Sequence, residues 1–130
     1  MAEHNVLGRE GEDEACAYLI ERDIHILERN WHGRDCEVDI IADDYGEVIF
    51  IEVKSRSTVK DNLPEDAVDG YRMYRLSRAA EEYLYANHLE QYPFRFDIIA
   101  VDMSVAPCRI RHIVDAFPLK PKKRPGSRKT

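Results

Sequence analysis

The sequence predicts a single α/β domain, a mixed β-sheet flanked by helices, and three observations carry that prediction. The 130 residues match the size of one domain. Apolar residues recur at helical spacing in two stretches. Between and after those stretches lie runs rich in β-branched residues, bounded by turn formers. The resulting order is helix, three strands, helix, two strands, which suits a layered α/β arrangement.

The elements follow in turn. Residues 7–22 read as a helix, because Leu7, Gly11, Ala15 and Leu19, with Gly8, Cys16 and Ile20 beside them, form one stripe. Glu12 sits next to it. Residues 24–31 read as a strand, and Gly33 falls in the following turn. The segments CEVDIIA (36–42) and EVIFIEVK (47–54) flank Asp43, Asp44, Tyr45 and Gly46, a turn cluster, and so form a hairpin. Pro64 suits a first helical position. From there the stripe Val68, Arg72, Leu76, Ala80, Tyr83 and Leu84 carries a helix to about Asn87, with Gly70 weakening its first turns. Residues 95–102, RFDIIAVD, and 110–117 complete the strands. The folded unit spans residues 5–118, and 119–130 form a basic, disordered tail.

Composition narrows the class. Hydrophobic residues make up 44% and charged residues 34%, which excludes collagen-like, low-complexity and wholly disordered chains. Cys16, Cys36 and Cys108 are widely spaced and unpaired in sequence, so they read as reduced thiols rather than a disulfide framework or a zinc site. The N-terminus lacks a basic start followed by an apolar run, and no stretch approaches the ~20 apolar residues of a membrane span. The expected location is the cytoplasm, with no membrane partner. Residues 120–130, KPKKRPGSRKT, hold six of the 19 basic residues and no acid, which leaves 13 basic against 25 acidic in the rest, or −12. The tail reads either as a solvated terminus or as an arm that neutralises phosphates.

The chemistry concentrates in the hairpin. Strand alternation puts Glu37, Asp39 and Ile41 on one face and Val38, Ile40 and Ala42 on the other, and groups Val48, Phe50, Glu52 and Lys54. Counting through the turn does not by itself set Asp39 beside Glu52, and a twist or bulge is expected to bring them together. An acid, any residue, then lysine is expected about once by chance in such a chain. Its place at the end of an apolar strand, behind a second strand interrupted by Asp39, gives it weight. Carboxylates at a sheet end bind Mg²⁺ or Mn²⁺, hard cations that take oxygen ligands. Such an ion lowers the pKa of a bound water and neutralises charge on a phosphodiester. Asp39 and Glu52 are the expected ligands, Lys54 the cationic helper, and Glu12 a further ligand or an acceptor for a metal-bound water.

The segments GREGEDEACAYL, RNWHGRDCEVDII, IFIEVKSRS, AVDGYRMYRLSRAAEEYL and RFDIIAV, in that order, resemble the YraN family of bacterial endonuclease-like proteins. That family is related to archaeal Holliday junction resolvases and falls in the PD-(D/E)XK nuclease-like superfamily. The resemblance covers residues 7–102. It implies a restriction-endonuclease-like fold, with Glu12 matching the acid of the first helix, Asp39 the aspartate of the second strand, and Glu52 and Lys54 the acid and lysine of the third. Two positions depart from the pattern. Cys36 stands where the family usually has Gly, and Arg72 where a second-helix Lys is common. A guanidinium keeps the charge but is a planar fork rather than a point donor.

Taken one by one, these residues have plainer readings. Glu12 could be a solvated carboxylate on the helix flank, and Glu52 with Lys54 an exposed ion pair. Arg9, Arg56 and Arg72 read equally as phosphate contacts or as surface salt bridges. Arg95 and Asp97 read as a pair, His25, His32 and His112 as scattered histidines without ligand spacing, and Trp31 and the tyrosines chiefly as packing residues, with base stacking as the alternative. The leading expectation is an Mg²⁺-dependent endodeoxyribonuclease acting on DNA, with branched or structured DNA as the substrate and, by analogy, a homodimer as the working form. The alternatives are a noncatalytic nucleic-acid-binding module that keeps the nuclease fold, and a protein-interaction scaffold.

Overall fold

A computed structural model describes residues 2–58 and 68–123, with side chains from Gly8 onward. Pro64, the Leu7 side chain and residues 124–130 of the basic tail lie outside the described residues. The elements are α1 (Ala2–Glu21), β1 (His25–His32), β2 (Glu37–Asp44), β3 (Glu47–Arg56), α2 (Gly70–Ala86), β4 (Phe94–Asp102) and β5 (Arg109–Phe117). They occur in the predicted order. All five strands form one sheet in the order β1-β2-β3-β4-β5. Only β3 and β4 run parallel, and α2 lies in the crossover that a parallel pair requires.

Each face of the sheet carries a helix and its own apolar cluster. On one side, Ala15, Cys16 and Leu19 of α1 pack with Ile40, Ile49, Ile51 and Ile99. On the other, Leu76, Ala80, Tyr83 and Leu84 of α2 pack with Ile41, Val48, Phe50, Phe96 and Ile98. Burial on both faces is why β3 and β4 read as nearly unbroken apolar runs. Trp31 closes one end of the α2 cluster, edge-on to Tyr83 at 5.3 Å between ring centroids.

Several expectations need correction. The strand after the first helix starts at His25, and α1 reaches back to Ala2. Ile20, assigned to the buried stripe, is 62% exposed. Gly70 does not weaken the interior of α2 but opens it, with Asp69 as N-cap, its carboxylate accepting from the Arg72 N–H at 2.9 Å. The hairpin turn is the two residues Tyr45 and Gly46, with φ of 51° and 94°, and the flanking aspartates belong to the strand. Left-handed φ at both central residues is what a tight hairpin's twist demands. Strict alternation also fails in β2. Val38 joins the α2-side cluster while Ile40 and Ala42 face α1, so the face changes at Asp39.

Candidate active site

The two-residue turn sets the register of the hairpin: Asp44 opposes Glu47, and pairing continues to Ile40 opposite Ile51. One further step along that register brings Asp39 across from Glu52. No bulge in the hairpin is needed, and the expected gap came from assigning four residues to the turn. The β2–β3 pairing ends here. Asp39 Oδ2 instead accepts the Val53 N–H at 2.8 Å, so a carboxylate stands where a strand carbonyl would. β3 itself runs on beside β4 as far as Arg56 opposite Asp102. The hairpin thus opens where Asp39 and Glu52, an acid on each of its strands, stand across from each other.

Glu52 is 3% exposed. A carboxylate so buried needs charged partners, and it has two. Arg72 from α2 grips it with a fork, Nε to Oε2 at 3.1 Å and Nη2 to Oε1 at 2.9 Å. Lys54 Nζ lies 3.3 Å from Oε2. Arg72 also donates to Cys36 Sγ at 3.3 Å and to the Glu37 carbonyl at 3.1 Å. Burial alone would weaken its charge, but the bonds to Glu52 outweigh burial and raise its pKa. Burial pushes the Cys36 thiol up as well.

Asp39 has no such guanidinium. Burial, and next the negative charge of Glu52, push its carboxyl up to about 7, against a lowering from the Val53 N–H bond. Glu12 adds to the same upward push. It comes from the α1 side, where Asn30 Nδ2 donates to its Oε1 at 2.9 Å and Arg29 Nη2 lies 3.6 Å away. Gly11 lets the helix come this close, since a Cβ there would stand 1.9 Å from Ser55 Oγ. Asp39 and Lys54 therefore both adjoin Glu52, Arg72 reaches it from α2, and Glu12 acts on Asp39 through its charge. Arg9 is exposed on α1, and Arg56 pairs with Asp102 at 2.8 Å.

Among the described residues no three His, Cys, Asp or Glu side chains form a ready metal-ligand group. Mg²⁺ does not require three, because it is commonly held by one or two carboxylates and keeps several waters. The Asp39 and Glu52 oxygens fit that habit. A carboxyl pushed up by burial and by a neighbouring carboxylate marks a spot short of positive charge. Arg72 supplies that charge to Glu52 through both of its carboxylate oxygens.

One feature escaped the sequence. His112 bonds through Nε2 to Asp97 Oδ2 at 2.7 Å and through Nδ1 to the Tyr18 hydroxyl at 3.1 Å, tying α1 to the edge of the sheet. Burial would raise the Asp97 carboxyl, but bonds from His112, Arg95 and the Asp115 N–H hold it below its usual value. Asp97 between Phe96 and Ile98 was a usable signal, since a buried strand acid needs a partner. Arg95 does pair with it, as expected, at 3.0 Å. Tyr71, for which packing was the leading reading and base stacking the alternative, is 70% exposed.

Residues 11–101 match the model of the Uncharacterised protein family UPF0102. A UPF0102 protein of Phocaeicola vulgatus is 44% identical over 117 residues, covering 90% of this chain and 96% of the relative. One of Syntrophus aciditrophicus is 42% identical over 119 residues, covering 92% and 94%. A third, from Flavobacterium psychrophilum, is 40% identical over 117 residues, covering 90% and 98%.

Proposed function

The chain belongs to the UPF0102 (YraN) family, and on that footing we propose that it is a metal-dependent endonuclease that hydrolyses DNA phosphodiester bonds in branched or structured DNA. One observation carries the reading: Asp39 and Glu52 stand across from each other where the hairpin opens, and burial, together with the charge of Glu52, drives the Asp39 carboxyl up to about 7. Two acids forced together at a sheet end, with a lysine 3.3 Å from one of them, form a site that favours a divalent cation.

In this reading Asp39 and Glu52 hold Mg²⁺ or Mn²⁺, which when bound supplies a water of lowered pKa and neutralises charge on the phosphate. Lys54 stabilises the charge that develops on the phosphoryl oxygens. Glu12, held by Asn30, orders water on the α1 side. Arg72, once displaced from Glu52, becomes a phosphate contact within reach of the strand being cut.

The fork of Arg72 on Glu52 favours a second reading, a noncatalytic nucleic-acid-binding module in which the guanidinium permanently replaces the metal. Calorimetric titration of Mg²⁺ and Mn²⁺ into the wild type, Asp39→Ala and Arg72→Ala separates the two. The nuclease reading expects divalent binding in the wild type, its loss in Asp39→Ala, and binding about tenfold or more tighter in Arg72→Ala. It also expects metal-dependent cleavage of four-way-junction or single-strand-containing DNA. Binding in Arg72→Ala alone, with no cleavage by the wild type, establishes the second reading.

A further inference from the structure

The outer face of α2 carries Tyr71, Tyr74, Arg75 and Arg78 at the three- and four-residue spacing of one helical stripe. With Cys36 and Asp35 they line a groove of about 410 Å³. The groove adjoins the candidate site through Cys36, whose sulfur accepts from the arginine that holds Glu52. Cations and rings interleave along it. The Arg75 guanidinium lies 5.7 Å from the Tyr71 ring centre, and Arg78 and Lys123 lie 5.0 and 5.4 Å from that of Tyr74.

The start of the basic segment is laid along the same helix. The Lys120 N–H donates to Ser77 Oγ at 2.9 Å, Arg78 Nη2 donates to the Lys120 carbonyl at 2.6 Å, and the Lys123 N–H donates to the Tyr74 hydroxyl at 3.4 Å. Lys120 and Lys123 are thereby held against Arg78 and Tyr74, with Lys122 next to Lys123 in the chain. This is a cationic face on a chain whose first 119 residues carry −12. Asp35, Glu81 and Glu82 offset part of it. Glu81 lies 3.3 Å from Arg78, and Glu82 accepts the Arg34 N–H at 2.9 Å.

We propose that this groove binds a single strand of nucleic acid, stacking a base on Tyr71 and holding phosphates with Arg75 and Lys122–Lys123, and that it is the track by which an unpaired segment of the substrate reaches Asp39 and Glu52. The proposal rests on the nuclease reading for the destination of the strand, not for its binding. Three features select a single strand over a duplex. An exposed ring flanked by cations suits a base whose face is free, a combination that single-strand binders use regardless of sequence. In a duplex those faces are stacked and hidden. The groove volume also falls at the low end of the ~300–1,000 Å³ typical of small-ligand clefts, enough for a nucleotide and not for a double helix.

The test is fluorescence anisotropy of the full chain with labelled 12-nucleotide single-stranded DNA and with the matching duplex, in EDTA and over a salt series. The expected result is preference for the single strand and a loss of about tenfold for Tyr71→Ala. Tyr71→Phe should keep the affinity, because the ring remains. Arg75→Glu should weaken binding and flatten the salt slope by about 0.7 for each phosphate no longer neutralised. No binding by the wild type overturns the proposal. So does equal affinity for the duplex, or a silent Tyr71→Ala beside a Lys122→Ala/Lys123→Ala variant that loses all binding, since charge alone would then account for it. Because EDTA removes any metal, failure here leaves the calorimetric test of Asp39 intact, and failure there leaves this one intact.

Discussion

At the residue scale, the pivotal side chain is Asp39. It replaces a strand carbonyl at the Val53 N–H and faces the field of Glu52. A carboxyl raised to about 7 when folded but ordinary when unfolded holds more protons in the folded state between those values. Stability from this group is therefore complete at acidic pH and is lost as pH rises toward and through about 7. Asp39→Asn keeps an oxygen for the Val53 N–H and removes the titration. Chemical denaturation from pH 4 to 8 without divalent ions should show the variant gaining stability relative to wild type as pH rises. A difference that stays flat across this range means that burial and Glu52 do not raise the Asp39 carboxyl.

At the scale of elements, the site depends on how closely α1 lies on β3. Gly11 faces Ser55, whose Oγ would stand 1.9 Å and whose Cβ 3.1 Å from an added methyl group. Part of that clash can be relieved by turning the hydroxyl, but the Cβ contact cannot. Gly11→Ala should cost about 1–3 kcal/mol in urea unfolding. Ser55→Ala on the same background should recover the part due to the Oγ and leave the part due to the Cβ contact. The helix stripe marked Gly11 as buried but could not say what it meets. On α2 the reverse holds, for one helix carries both a buried face and the arginine that locks Glu52. Arg72 lay within the apolar stripe by spacing but read as a phosphate contact or a surface salt bridge, and its inward partner Glu52 emerges only in the fold.

At the scale of the molecule, two apolar clusters share one sheet, and β3 and β4 contribute to both. Neither face can be stripped without exposing strands that the other helix also needs. Trp31, the only tryptophan, reports on the α2 side. Its fluorescence and the far-ultraviolet circular dichroism should therefore follow one coincident urea transition, as in a two-state domain. Separate midpoints would mean that α1 or α2 unfolds on its own. The described helices contain none long and apolar enough to cross a membrane.

Local spacing along the chain was enough to specify the order of elements, the hairpin, the two buried helical stripes and the identities of the acids, because the backbone's own periods enforce each of them. It also carried the family, through five linked segments. Setting Asp39 across from Glu52 took the folded hairpin, since its register hangs on whether two residues or four make the turn. The same is true of Arg72, which clasps Glu52 from a helix 20 residues away, and of His112, which joins Asp97 and Tyr18. Such pairings are fixed by how helices dock on a sheet. That docking is a property of the packed whole, and no short stretch of sequence contains it.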